Sequence, residues 1–181
     1  EASGGVIQVI TKTPQSEPSV DVSVGYASFD TAEANVYATT GITERLAADV
    51  ALYYRNQEEG WGKNLFNGDE ANWVDNKAVR SKWMLQLERT QMTVSVDWSH
   101  TDNDLCNQPR QIRRGLGMDG VTTYPGFYNY NINYDHGSKA TQRGASLKID
   151  RQLDRARLVN ITSFRRYKNN EVPDQDHTPN S

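Results

Sequence analysis

One stretch of the sequence alternates strictly between apolar and polar side chains: Met92-Thr93-Val94-Ser95-Val96-Asp97-Trp98-Ser99. Successive side chains of a β-strand point to opposite faces of a sheet, so a period of two indicates a strand with one apolar and one polar face. The same alternation recurs in five further segments, 20–27, 32–39, 48–55, 79–88 and 145–150. A seventh segment, 156–168, is strand-like, but its phase is ambiguous because Leu158, Val159 and Ile161 do not alternate. The pattern predicts an all-β chain of about seven strands.

A helix is the alternative for one of these segments. Thr43 to Arg55 also has the pattern of a capped helix, with Leu46, Val50 and Tyr54 four residues apart. We favour a strand there, because similar strand-like segments recur on both sides.

The composition narrows the class of protein. The 181 residues carry 20 Lys and Arg against 23 Asp and Glu, so no basic excess is available to bind nucleic acid. Only 36% of the residues are hydrophobic and the mean hydropathy is -0.78, yet 17 aromatic residues argue against disorder. A single cysteine, Cys106, excludes an internal disulfide. This combination fits a one-layer sheet with one apolar and one wet face.

The lengths of the connections give the topology. The second, fourth and sixth connections are short, whereas the third and fifth are long, at 58–75 and 103–141. Short turns on one rim and long loops on the other are typical of an antiparallel up-and-down meander in an outer-membrane barrel.

Aromatic side chains are the second indication of a membrane barrel. They fall near the predicted long-loop ends of the strands, where a girdle would meet the membrane interface: Tyr26, Phe29, Tyr54, Trp98 and Tyr167. The alternative is that aromatic residues are simply common in strands.

Seven strands cannot close such a barrel. The number is odd, it leaves two open edges, and the last residues offer no closing strand. We therefore expect the chain to be a piece of a larger protein, cut at both ends.

The segment before the first barrel-like strand points to a family. Gly4-Gly5-Val6-Ile7-Gln8-Val9-Ile10-Thr11-Lys12-Thr13-Pro14 resembles the last plug strand of TonB-dependent outer-membrane receptors. The glycines allow close backbone approach, and Pro14 and Pro18 end strand pairing. These properties also fit an ordinary buried strand followed by a linker, which is the alternative to a plug strand. The segments that follow resemble the family in order, at Gly25–Asp30, Leu46–Trp61 and Val94–Asp104, and the resemblance covers roughly residues 4 to 102.

The resemblance implies a division of the chain and a function. Residues 1–14 would be the last plug strand, 15–19 a linker, and 20–181 the first seven or so strands of a large barrel, expected to have 22 strands. The whole protein would be a receptor in the outer membrane of a Gram-negative bacterium, taking up a scarce nutrient such as a ferric siderophore. Its partners would be this iron chelate, outer-membrane lipid, and TonB through a segment not present here. The residues themselves offer no Ser/His/Asp or paired-carboxylate arrangement, so we predict no enzymatic activity and no cofactor.

Two other classes stay open. A passive porin-type barrel would lack the plug strand, and a soluble all-β binding domain would need a second sheet to cover its apolar faces.

Candidate ligand-binding residues lie in the second long loop. Aromatic rings could stack on a ligand and arginines could bind its anionic groups, and we select Arg113, Arg114, Tyr124, Tyr128 and Tyr130. The alternative is a packed loop without ligand contact.

Two apparent motifs carry less weight. Gly115 to Gly120 fits G-x-G-x-x-G but lacks the preceding strand and following helix of a dinucleotide site, so a flexible loop is the expectation. His100, Asp102, Asp104 and Cys106 match no strong metal-site spacing, and we predict neither a metal site nor catalytic residues.

Overall fold

The computed structural model describes residues 11–104, 111–113, 115–117, 119–126, 128–133, 137–171 and 179. The regular structure of these residues is all β-strand. In chain order the strands are β1 Ser19–Ala27, β2 Thr31–Thr43, β3 Leu46–Gln57, β4 Gly62–Lys63, β5 Glu70–Ala71, β6 Val74–Gln86, β7 Thr90–Asn103, β8 Gln111–Arg113, β9 Leu116–Gly117, β10 Ser138–Gln152 and β11 Arg157–Glu171.

Seven strands form one antiparallel sheet in the order β1-β2-β3-β6-β7-β10-β11. Each long strand pairs with the long strand before it, so the predicted up-and-down meander is confirmed. The sheet is open between β1 and β11. Two small hairpins, β4–β5 and β8–β9, lie within the two long loops, 58–73 and 104–137.

The helix considered for Thr43 to Arg55 is wrong, because these residues form the β2–β3 turn and most of β3. Strand β3 is paired along its length with both β2 and β6. The Thr43 hydroxyl accepts hydrogen bonds from the backbone N–H groups of Arg45 and Leu46, at 3.3 and 3.1 Å. The polar side chain that could have capped a helix thus stabilises the hairpin turn.

The register keeps the apolar side chains of neighbouring strands in phase. One row of paired residues runs across the sheet from β1 to β7 through Val22, Val36, Leu52, Val79 and Trp98. We call the face carrying this row the apolar face. The residues that alternate with these along each strand, such as Asp49, Lys82 and Ser95, point to the opposite side of the sheet. We call this side the polar face.

The register also settles β11. Phe164 pairs with Ala145 and lies on the apolar face, whereas Tyr167 pairs with Gln142 and lies on the polar face. Tyr167 is therefore on the opposite face from Tyr54 and Trp98 of the predicted girdle, whereas Phe164 is on the same face as these two residues.

From one short turn to the next across the sheet, the position of the turn is displaced along the strand direction. Leu46, at the β2–β3 turn, pairs with Leu85, and the β6–β7 turn closes two residues later, at Leu87 and Thr90. Thr90 pairs with Arg151, and the β10–β11 turn again closes two residues later, at Leu153. For every two strand spacings of about 4.8 Å, the turns are thus displaced by two residues of about 3.4 Å each along the strands. This slope corresponds to strands tilted by about 35° from the perpendicular to the line of turns.

Candidate functional site

Burial on the two faces of the sheet is the reverse of that in a water-soluble protein. On the apolar face of the inner strands, Leu52 and Trp83 are each 45% exposed. On the polar face Asp49 is 5% exposed and Lys82 8%. Soluble proteins bury apolar side chains and leave charged ones in water, and an exposed apolar face of this kind indicates a surface that contacts another protein or a membrane.

The polar face is concave and lined by charged and polar groups. A concavity of about 560 Å³ extends across it from β1 to β11. Within it the Arg165 guanidinium donates two hydrogen bonds to the Asp97 carboxylate, each 3.1 Å. These residues lie on β11 and β7, and Gly144 of β10 between them leaves the space for the contact: a Cβ there would stand 3.1 Å from both side chains.

The segment before β1 lies against the polar face. The backbone N–H of Gly41 donates to the Ser16 carbonyl at 3.0 Å, and that of Gln15 donates to the Thr39 hydroxyl at 2.8 Å. The Lys12 ammonium lies 2.6 Å from Asp21 and 4.6 Å from the centre of the Tyr37 ring. Residues 11–18 are thus held on the charged side of the sheet, near its short-turn rim.

The two long loops pack together into one folded unit, the loop module, which consists of 58–73 and the described residues of 104–133. Its buried apolar cluster is formed by Ala71, Tyr130 and Ile132. A parallel bridge joins Asn64 to Tyr130, and the N–H of Leu65 donates to the Tyr130 carbonyl at 2.7 Å.

Buried polar side chains fix the loop module. The Asn64 amide donates to the Ile132 carbonyl at 3.0 Å and accepts from the Ile132 N–H at 3.2 Å, in the manner of a neighbouring strand. Asp104, 2% exposed, accepts hydrogen bonds from the Tyr130 hydroxyl at 2.6 Å and the Asn72 N–H at 3.1 Å. Asn64 and Asp104 are therefore each hydrogen-bonded to the other long loop, which rigidifies the two loops.

A polar cavity of about 410 Å³ opens between the loops above β3. Its wall is acidic and amide-rich, without Lys or Arg, and contains Asn56, Gln57, Glu58, Asn64, Asn67, Asp69, Glu70, Trp73, Asp104 and Tyr130. Such a wall suits a ligand with hydroxyl, amide or cationic groups. It is the candidate ligand site of the described residues.

The predicted ligand-binding residues lie in different environments. Arg113, on β8, and Tyr128 are exposed. Tyr128 packs edge-on against Trp61, with ring centres 5.7 Å apart. Tyr124 and Tyr130 are 3% and 4% exposed, and Tyr130 also borders the acidic cavity. Arg114 lies outside the described residues, and ligand contact by any of the five stays a prediction.

The G-x-G-x-x-G stretch is a turn-rich part of the same loop. Gly115 and Gly120 have φ of 78° and 73°, the left-handed region that favours glycine. The Asp119 carboxylate accepts hydrogen bonds from the Thr122 hydroxyl and from the N–H groups of Thr122 and Val121. The Thr122 hydroxyl, followed by these backbone groups, lowers the pKa of Asp119 below its ordinary value.

The acidic and histidine residues considered for a metal have other partners. His100 Nδ1 contacts the Thr141 hydroxyl at 3.0 Å, and Asp102 pairs with Lys139 at 2.9 Å. Asp104 is held by Tyr130 and Asn72, and Cys106 lies outside the described residues. In the described part of the chain no three His, Cys, Asp or Glu side chains are grouped to hold a metal ion.

The structure contains no helix, among its described residues, that is long and apolar enough to cross a membrane.

Comparison of the chain with protein-family models, curated proteins and solved structures finds no match.

Proposed function

We propose that this chain is part of the wall and outer loops of an outer-membrane active-transport receptor. The observation that carries the proposal is the exposed apolar face. Leaving a large apolar side chain in water rather than burying it costs about 1.5–3 kcal/mol. Exposed side chains of this kind occupy β1, β3, β6, β7 and β11, and a lipid environment removes that cost.

The aromatic residues support the same environment. Ala32 pairs with both Tyr26 and Asn56, and Tyr54 lies two residues from Asn56 towards the short turns. Repeating this step of two strands across and two residues down leads from Tyr54 to Trp98 and then to Phe164. We call this series, Tyr26, Tyr54, Trp98 and Phe164, the aromatic line. It runs parallel to the line of turns, so in a barrel whose strands tilt by about 35° these rings would lie at one level of the membrane.

The segment 11–18 supports a plugged receptor over an open porin. In a barrel the polar face becomes the lumen, so this segment would run inside the wall near the periplasmic rim. That is the course expected of a linker from an internal plug, in agreement with the resemblance of Gly4 to Pro14 to a plug strand.

The loop module would be the extracellular ligand-binding region. It lies at the rim opposite the short turns, and its buried hydrogen bonds preorganise the acidic cavity. By the family resemblance the cargo is an iron chelate, taken up with energy delivered through TonB.

Two measurements on the source cell test the proposal. An antibody to this segment should detect a band several times larger than 20.4 kDa in the outer-membrane fraction. Deletion of the gene should abolish energy-dependent uptake of one radiolabelled ferric chelate from a panel. A soluble band near the size of the chain would overturn the membrane assignment. Membrane localisation with uptake insensitive to loss of the proton-motive force would favour a passive porin.

A further inference from the structure

The row of apolar residues that crosses the sheet ends in two arginines. Trp98 of β7 pairs with Arg143 of β10, and Arg143 pairs with Arg166 of β11. Both arginines are therefore on the apolar face, directly opposite one another, and both are exposed. Like charges placed opposite each other in a sheet are destabilising, so this pair has no structural rationale of its own.

A third cation extends the pair towards the long loops. Lys168 is two residues beyond Arg166 on the same face, pairs with Thr141, and is exposed. Among the described residues, the side chains of these three have no hydrogen-bond partner and no ion pair. The nearby cations Lys77 and Lys139 differ, since they pair with Asp75 at 2.7 Å and Asp102 at 2.9 Å. We call Arg143, Arg166 and Lys168 the basic patch.

The level of the basic patch follows from the tilt of the strands. The aromatic line reaches β11 at Phe164, so Arg166 and Lys168 lie beyond it, on the long-loop side. Arg143 also lies on that side, because Ala145, two residues nearer the short turns, is the partner of Phe164. Below the line the apolar face of β10 continues with Leu147 and Ile149. The three cations thus stand just outside the apolar band.

We infer that the basic patch binds the phosphate groups of lipid headgroups in the outer leaflet. This inference rests on the proposed membrane orientation. Guanidinium groups bind phosphate in a bidentate manner, and two adjacent arginines next to a lysine provide several donors around one anion. The neighbouring Trp98 and Phe164 rings lie at the interfacial level of the same lipid, and a bound phosphate offsets the repulsion between the arginines.

Lipid titration of the protein extracted from its native membrane into neutral detergent tests this inference. The probes are short-chain phosphatidylglycerol, short-chain phosphatidylcholine and inorganic phosphate. We expect the anionic lipid to bind at least tenfold more tightly than the zwitterionic one. Inorganic phosphate should not compete at equal concentration, because it lacks the acyl chains. Equal binding of the two lipids would overturn the inference, and effective competition by phosphate would identify a site for soluble anions instead.

Charge-matched variants locate the effect. The double variant Arg143→Gln with Arg166→Gln should weaken phosphatidylglycerol binding about 30-fold, because each cation near an anionic surface contributes roughly fivefold to the affinity. Arg45→Gln with Arg155→Gln removes two exposed arginines from the short turns and should leave binding unchanged. The single variant Lys168→Gln, expected to lose about fivefold, serves if the double variant does not accumulate. Equal losses in patch and turn variants would overturn the inference.

Fractionation of the cell into membrane and soluble parts distinguishes a failure of this inference from a failure of the proposed function on which it rests. If the protein is recovered from the soluble fraction, the proposed function fails as well. If it is an outer-membrane protein without headgroup preference, only the basic patch loses its role.

Discussion

Tyr130 shows how much of the loop module depends on single side chains. Its ring lies in the buried cluster with Ala71 and Ile132, and its hydroxyl donates to the buried Asp104 at 2.6 Å. The sequence predicted Tyr130 as a ligand contact, because an aromatic residue in a long loop has the same appearance in either role. Its partners Asp104 and Ala71 are 26 or more residues away along the chain, where no local pattern identifies them.

Tyr130→Phe should loosen the loop module while leaving the sheet intact. The change leaves the buried Asp104 carboxylate without one donor, at a cost of about 1–3 kcal/mol. Limited proteolysis of 58–73 should therefore accelerate. Tyr54→Phe, the same change on the apolar face, should have no effect. Unchanged cleavage in Tyr130→Phe would show that the hydrogen bond does not stabilise the loops.

We expect the turn at Asp119 to be sensitive to acid. Its lowered pKa means that the hydrogen bonds from Thr122 and Val121 favour the charged carboxylate. The stabilisation is complete above the ordinary carboxyl pKa of about 4 and is lost as pH falls through the lower, folded value. Hydrogen exchange at the Val121 and Thr122 amides should lose protection across this range, after correction for intrinsic rates. Asp119→Asn should remove the pH dependence, and a midpoint above 4 in the unaltered chain would contradict this prediction.

At the level of elements, alternation along the sequence was sufficient to predict six strands and their faces. It failed for the phase of β11, because apolar residues lie on both faces there: Leu158 on one, Val159 and Ile161 on the other. Only the register with β10 separates Phe164 from Tyr167. The small hairpins of the loops were not predicted, since strands of two or three residues are too short to show a period.

Gly144 tests the contact between strands across the polar face. A methyl group there would stand 3.1 Å from Arg165 Nη2 and from Asp97 Oδ1, so Gly144→Ala should displace the ion pair. We expect a loss of about 1 kcal/mol or less, because both side chains are partly exposed. Gly25→Ala is the matched control on β1, where a Cβ would meet nothing within 4 Å. Thermal unfolding should separate the two variants, and equal midpoints would contradict the role assigned to Gly144.

Gly41 tests the position of segment 11–18. A Cβ at Gly41 would lie 2.9 Å from the Ser16 carbonyl oxygen, which is too close for the segment to stay in place. Gly41→Val should therefore release the segment from the wall and speed tryptic cleavage after Lys12. Gly25→Val, a change of the same size in an open site, should not. Equal cleavage in both variants would mean that the segment is not held by this contact.

For the whole molecule, a single sheet with one exposed apolar face is the property from which the proposed function follows. Composition predicted the single layer, since 36% hydrophobic residues are too few for two packed sheets. The loop module and its acidic cavity could not be predicted, because they depend on contacts such as that between Asn64 and Ile132, 68 residues apart.

The most direct measurement is the environment of alternate residues along β7. Nitroxide labels would be placed singly at positions 92 to 97 in a Cys106→Ser background, in the protein reconstituted into lipid. Oxygen, which partitions into lipid, should relax labels at 92, 94 and 96 more strongly. A water-soluble nickel chelate should relax those at 93, 95 and 97. Uniform accessibility, or alternation in the opposite phase, would contradict the membrane-facing assignment of the apolar face.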